Sequence, residues 1–463
     1  MFKPETYARR RADLHKEAKN GIALFPGNVE AAFNYPANTY HFRQDSTFSY
    51  FFGLNQPDLA GIIDLDNNKD ILFGNDVDMD DIIWMGPQPS MVERGKLVGI
   101  SQTAPLSDFE TYVKEALAKG RKIHFLPPYR GETKIWLSEL LGIAPGALKA
   151  AASEELIHAV VKLRSIKSAE EITEIEKMVD VAYLMHTTAM KMAHPGIVEQ
   201  EIAGTIEGVA LANAGPVSFP IILSINGQTL HNHHHGNTLV ADRMLVVDSG
   251  CESVETLYSS DITRTVPVGG KFNPRQKEIY EIVLNANMKA IEAIKPGIVY
   301  REIHLLAART IVEGLKSAGL MKGDTDAAVE AGAHAMFFPH GLGHMMGMDV
   351  HDMEHLGENF VGYDNEIKRS TQFGTAFLRL GRKLQPGFVI TVEPGIYFIP
   401  ALIDQWKAEG NYDEFINFEK VETYKDFGGI RIEDDVLVTE TGYRVLGKPI
   451  PKTVEEIETI MKR

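Results

Sequence analysis

Asp248, Asp261, His344, Glu393 and Glu433 stand in five short runs, LVVDSG, SSDITRT, HGLGH, ITVEPG and IRIEDD, in the second half of a 463-residue chain. Four carboxylates and one imidazole form a donor set for hard divalent ions. Oxygen-rich ligation favours two manganese ions, with other divalent ions possible, over a structural zinc, which takes cysteines and histidines. Charge balance agrees, because four carboxylates neutralise two divalent ions and leave room for a bridging hydroxide as nucleophile. The chemistry this predicts is hydrolysis by activated water.

Such ligands need elements to hold them. Strand alternation over 261–265 puts Asp261, Thr263 and Thr265 on one face, and over 430–433 it puts Arg431 beside Glu433 with the isoleucines opposite. Thr263 and Arg431 are therefore polar neighbours suited to orienting the ligating carboxylates. His340 and His344 are four apart, which sets them on one side of either a helix or a strand. Between them, Gly341 and Gly343 allow close backbone approach.

The same half carries a weak internal repeat. Pro195-Gly196-Ile197-Val198 followed by Glu201-Ile202 recurs 101 residues later as Pro296-Gly297-Ile298-Val299 and Glu302-Ile303. A long amphipathic helix precedes each copy. The first opens at Ser168, with Glu171 completing a capping box; in the second Asn273 caps, Pro274 takes the first position, and Ile279, Ile282, Val283, Ala286 and Ala290 form one stripe. LVVDSG echoes VITVEPG, and SSDITRT echoes IRIEDDV. Two similar halves facing one another, with the metal site where their sheets meet, is the architecture this predicts.

Upstream, residues 1–164 alternate helix and strand, including a hairpin over AGIIDLDNNKDILF with an Asn-Asn turn. The expected division is 1–164 and 165–463. A charged N-terminus reads as an amphipathic helix and not a signal peptide, and no apolar run is long enough to span a membrane. Lys+Arg 47 against Asp+Glu 63 gives a net charge of -16, which argues against nucleic acid or an anionic membrane as partner. The one cysteine, Cys251, lacks a dedicated base, reads as a buried filler, and suits a reducing, cytoplasmic setting.

These motifs resemble the pita-bread metallopeptidases, the family of aminopeptidase P, prolidase, methionine aminopeptidase and creatinase. The FRQDSTFSYFFG run at Phe42 to Gly53 is similar to the N-terminal domain of the aminopeptidase P and prolidase branch. The resemblance implies an α+β chain, with an N-terminal α/β creatinase-like domain before a pseudo-two-fold pita-bread catalytic domain. It further implies that Asp248 chelates one ion, that Asp261 and Glu433 bridge both, and that His344 and Glu393 hold the other. Glu393 would also trade protons with the bridging water. His231 and His351 would steady the tetrahedral intermediate and the departing nitrogen, with His340 lining the proline pocket and counted among the catalytic groups. The neighbouring His233, His234 and His235 read as solvated loop residues.

A bond before proline suits these groups, because it lacks the N–H that most peptidases grip. The expected substrates are proline-containing dipeptides or peptides, and a homodimer or homotetramer is implied. Arg379, in AFLRLGRKLQPGFVITVEPG, matches the arginine by which prolidases hold a dipeptide carboxylate, so the reading leans to an Xaa-Pro dipeptidase. Xaa-Pro aminopeptidase activity on longer peptides is the alternative, and a non-catalytic pita-bread binding module a remote one. Two departures stand out. Asp248 and Asp261 are thirteen apart, about two more than is usual in the family, an even insertion that keeps both acids on one face. The segment 357–374 is long, and reads as a lid or an oligomer contact.

Overall fold

The structure, a computed structural model, describes residues 1–462. Contacts divide the chain into two compact units. The first holds Met1–Arg164 with Glu255–Leu257 and Met353–Phe360, and the second holds Ser165–Val254, Tyr258–Asp352 and the residues from Val361 on. A linear division does not anticipate the two short stretches that join the first unit.

In the first unit, Ala60–Asp64 and Lys69–Phe73 form the expected hairpin. Its turn is built by Asn68 at φ 51 and by the Asp64 carboxylate, which accepts from Asn67 N at 3.0 Å. The hairpin lies in a five-stranded sheet ordered Gln102–Ala104, Lys69–Phe73, Ala60–Asp64, Ile22–Pro26, Ile123–His124. Ile62, Phe73, Phe109, Val113 and Leu137 are among its buried core. Asp45 caps the helix Ser46–Phe52 by accepting from Phe48 N at 2.8 Å, and every residue of that helix is buried. The N-terminal helix runs Pro4–Glu17.

The second unit bears the repeat as backbone geometry. Gly196 and Gly297 take φ 94 and 83, which only glycine adopts freely, and they donate N–H to the carbonyls of Leu239 and Leu384 at 2.8 Å each. Leu239 N and Leu384 N return bonds of 2.8 Å each to the carbonyls of Ile197 and Ile298. Helices Ala169–Met192 and Pro274–Glu292 precede these turns with capping boxes at Ser168/Glu171 and Asn273/Gln276; the second box was not read from sequence. Helices Glu199–Asn213 and Tyr300–Ser317 follow.

Each half then supplies strands. Met244–Ser249 lies between Ile222–Ser224 and Ile262–Pro267, with both Ile222 and Thr263 opposite Asp248. The longer hairpin keeps register to its tip, since Cys251 O accepts from Ser260 N and Glu252 bridges Ser259. The extra residues therefore leave the two acids on one face. In the other half Val389–Val392 pairs with Asp434–Val438, and Gly395–Tyr397 with Gly429–Arg431. Among the described residues no helix is long and apolar enough to cross a membrane.

Candidate metal centre

The HGLGH run is neither helix nor strand, contrary to both options its spacing offered; it is an irregular loop laid along the strand Val389–Val392. Thr391 N donates to the His344 carbonyl at 3.0 Å, and Glu393 N donates to the Leu342 carbonyl at 2.8 Å. A Cβ on Gly343 would overlap the Thr391 carbonyl oxygen, so only glycine permits this approach. By this means His344 and Glu393 arrive side by side.

Asp261, His344 and Glu433 each offer one ligand atom, all within 4.8 Å of one another. His344 Nδ1 lies 3.0 Å from the Met345 carbonyl, which selects the tautomer protonated at Nδ1. Its Nε2 lone pair then faces Asp261 Oδ2 at 3.4 Å and Glu393 Oε1 at 3.6 Å. A lone pair held against two carboxylate oxygens is repulsive unless a proton or a metal cation lies between them. Asp248 completes the set: its Oδ1 is buried with no hydrogen-bond partner, while Oδ2 accepts from Arg431 at 2.5 Å. The residues present thus fit a cluster of divalent ions.

Electrostatics agree. Burial first, and then the charge of Asp248, push the Asp261 carboxyl well above its ordinary range. Burial and the charge of Asp261 do the same to Glu433. For Glu393, burial and Asp261 outweigh the opposing His344, and its carboxyl is raised to about 7. Acids that repel each other enough to hold protons are acids that a cation would relieve.

Thr263 and Arg431 stand where orienting groups belong. Thr263 Oγ1 donates to Glu433 Oε2 at 2.6 Å, and Arg431 Nε donates to Thr263 Oγ1 at 3.1 Å. Arg431 also donates to the Tyr397 hydroxyl at 2.9 Å, which donates to His340 Nε2 at 2.9 Å, while His340 Nδ1 donates to the Gly341 carbonyl at 2.8 Å. Both nitrogens of His340 are therefore engaged, and burial, followed by the charge of Arg431, holds it neutral, with a pKa of about 3. His340 lines the cavity beside the acids, with its Nδ1 3.8 Å from Glu393 Oε2.

The cluster lies at the base of a cavity of about 470 Å³. His231, His351 and Arg379 line it with the acids. The His351 ring stands 4.3 Å from that of His344, centroid to centroid. His231 is at the exposed rim; burial of its inner part, then Arg431, lower its pKa, and Arg379 is near enough to contribute. Sequence reasoning missed Tyr397, His233 and the apolar wall of Phe219, Leu230 and Phe377. Alternation along VEPGIY separates Tyr397 from the core-facing Ile396, but only pairing with Gly429–Arg431 brings its hydroxyl to Arg431. Cys251 is buried and its thiol is pushed up to about 12 by burial, the behaviour of a filler.

The model of metallopeptidase family M24 matches residues 173–440, and that of the aminopeptidase P N-terminal domain matches residues 7–126. A human Xaa-Pro dipeptidase is 34% identical over 91% of this chain and 84% of its own length. A probable Xaa-Pro aminopeptidase from Metarhizium robertsii is 31% identical over 98% of this chain and 96% of its own. Among solved structures, the aminopeptidase PepP of Pseudomonas aeruginosa superposes with a TM-score of 0.80 at 29% identity, covering 99% of this chain and 98% of the other. Zinc-substituted Escherichia coli aminopeptidase P in complex with product gives 0.79 at 28% identity, with coverage of 99% and 98%.

Proposed function

This chain belongs to metallopeptidase family M24 and is a metallopeptidase, and from that premise we propose that it hydrolyses Xaa-Pro bonds, favouring Xaa-Pro dipeptides. Two divalent ions, manganese on the chemistry of the donors, would be held by Asp248, Asp261, His344, Glu393 and Glu433, and when bound would supply an activated water and polarise the scissile carbonyl. Glu393 accepts a proton at its carboxylate and returns it to the proline nitrogen, which as a tertiary amide has no hydrogen of its own and cannot leave unprotonated. His231 and His351 both line the cavity and stabilise the charge that develops on the substrate. Neutral His340 forms a wall for the proline ring. Arg379 receives the carboxylate of a dipeptide.

The observation that carries the dipeptide preference is the position of Arg379. It lines the same cavity as the acids and is close enough to His231 and His340 for its charge to lower both their pKa values. A second reading, an Xaa-Pro aminopeptidase, is favoured by the exposed rim at His231 and His233, through which a longer peptide could leave. The deciding measurement is proline release from Xaa-Pro, and cleavage of Xaa-Pro-amide and Xaa-Pro-Xaa, after manganese is returned to chelated protein. A dipeptidase keeps most of its rate for the first only; equal rates on all three support the aminopeptidase, and inactivity on all three ends both readings. A cytoplasmic homodimer or homotetramer is part of the same proposal.

A further inference from the structure

The long segment between His351 and Arg379 turns back on the pocket wall. Gly362 O accepts from Gly381 N at 2.8 Å and from Arg382 N at 2.9 Å. A Cβ on Gly362 would overlap the Arg379 carbonyl oxygen, so these two backbones touch. Next to it Tyr363, 4% exposed, donates its hydroxyl to the Leu378 carbonyl at 2.6 Å. Its ring lies against Gly381, where a Cβ would come to 2.5 Å. Gly341, in the histidine loop, also packs on this backbone, leaving so little room that a Cβ there would be 2.7 Å from Leu378 Cα. Farther along, Arg369 Nε donates to the Ala376 carbonyl at 2.8 Å, and Gln372 Nε2 donates to the Glu330 carbonyl at 2.8 Å. Those two bonds hold the turn Thr375–Phe377 that delivers Arg379 to the cavity.

Resting on the reading of Arg379 as the carboxylate-binding group, we propose that 361–378 is a buttress for Arg379, and that Gly362 and Tyr363 are the positioning residues that set substrate length. An arginine has four flexible torsions, and a bidentate grip on a carboxylate needs its fork fixed to within about half an ångström, so the backbone beneath it must be rigid. Gly362 packs on the Arg379 carbonyl and Gly341 on Leu378 Cα, and Tyr363 bonds the Leu378 carbonyl. The metal ligands set which bond is cut; this segment sets whether the residue after it must end in a free carboxylate.

The test is steady-state kinetics on Xaa-Pro and on the matching Xaa-Pro-amide, with the manganese-loaded full chain, for the wild type, Arg379→Ala, Tyr363→Phe and Gly362→Ala. Tyr363→Phe keeps the ring and removes the buried bond to the Leu378 carbonyl. The expected result is a KM for Xaa-Pro raised by about tenfold, kcat little changed, and amide kinetics within about twofold of wild type. Gly362→Ala shifts the same ratio further if it folds; if it does not, Tyr363→Phe decides alone. A Tyr363→Phe enzyme with an unchanged preference, or with equal losses on both substrates, overturns the buttress when Arg379→Ala still abolishes the preference. An unchanged preference in Arg379→Ala instead overturns the underlying reading, and the buttress with it.

Discussion

His344 presents Nε2 to the acids because the Met345 carbonyl claims Nδ1, and Thr263 and Arg431 fix the faces of Glu433 and Asp248 in the same way. The titration of Glu393 follows from the same crowding. Burial and Asp261 raise its carboxyl to about 7, so the metal-free native chain binds this proton more tightly than the unfolded chain does. Native stability of the chelated protein therefore falls as pH rises from the unfolded pKa through about 7, by on the order of 3 kcal/mol from this group, and levels off above it. A divalent ion takes the proton's place, so stabilisation by added manganese grows over the same window. Melting curves with chelator and with manganese at about pH 5.5 and about pH 8 should show a larger metal-induced shift at the higher pH; equal shifts would falsify this account.

At the scale of elements, short-range chemistry is readable in the sequence. The box at Ser168, the cap and first-turn proline at Asn273 and Pro274, the Asn-Asn hairpin and the repeated Pro-Gly turns each encode their geometry within a few residues, and each forms as read. The loop from His340 to Asp352 does not, because its shape comes from distant partners. One is Lys167, whose ammonium lies 2.8 Å from the Asp352 carboxylate with both side chains 1% exposed. Asp352 adjoins His351, so this ion pair anchors a wall of the cavity. Lys167→Met removes the ammonium paired with this buried carboxylate and should cost about 3–5 kcal/mol. At this chain size that is a fall of roughly 5 °C in Tm by calorimetry. Loss of activity at a temperature where the variant is still folded would add that the pair also holds His351 in place, and an unshifted Tm would show that the pair stabilises nothing.

At the scale of the molecule, the helix Met79–Met85 buries none of its residues; Trp84 is 86% exposed, with Met79, Ile83 and Met85 above 60%. Four large apolar side chains on one short helix are what a self-associating surface leaves open in a single copy. Under the homodimer or homotetramer proposal, Trp84→Glu should lower the mass measured by light scattering, and a monomeric wild type would rule the proposal out.

The sequence alone determined the hydrolytic chemistry, the two matching halves and a candidate donor set, because ligand type, cap and strand alternation are written within a few positions of each other. Tertiary structure decided the rest. The proton positions on His340 and His344, the raised acidity range of Asp261, Glu393 and Glu433, and the packing on the Arg379 backbone all depend on groups separated by tens to hundreds of residues. A tautomer, a pKa or a backbone contact is set by whatever atom lies within a few ångströms, and only folding determines which atom that is.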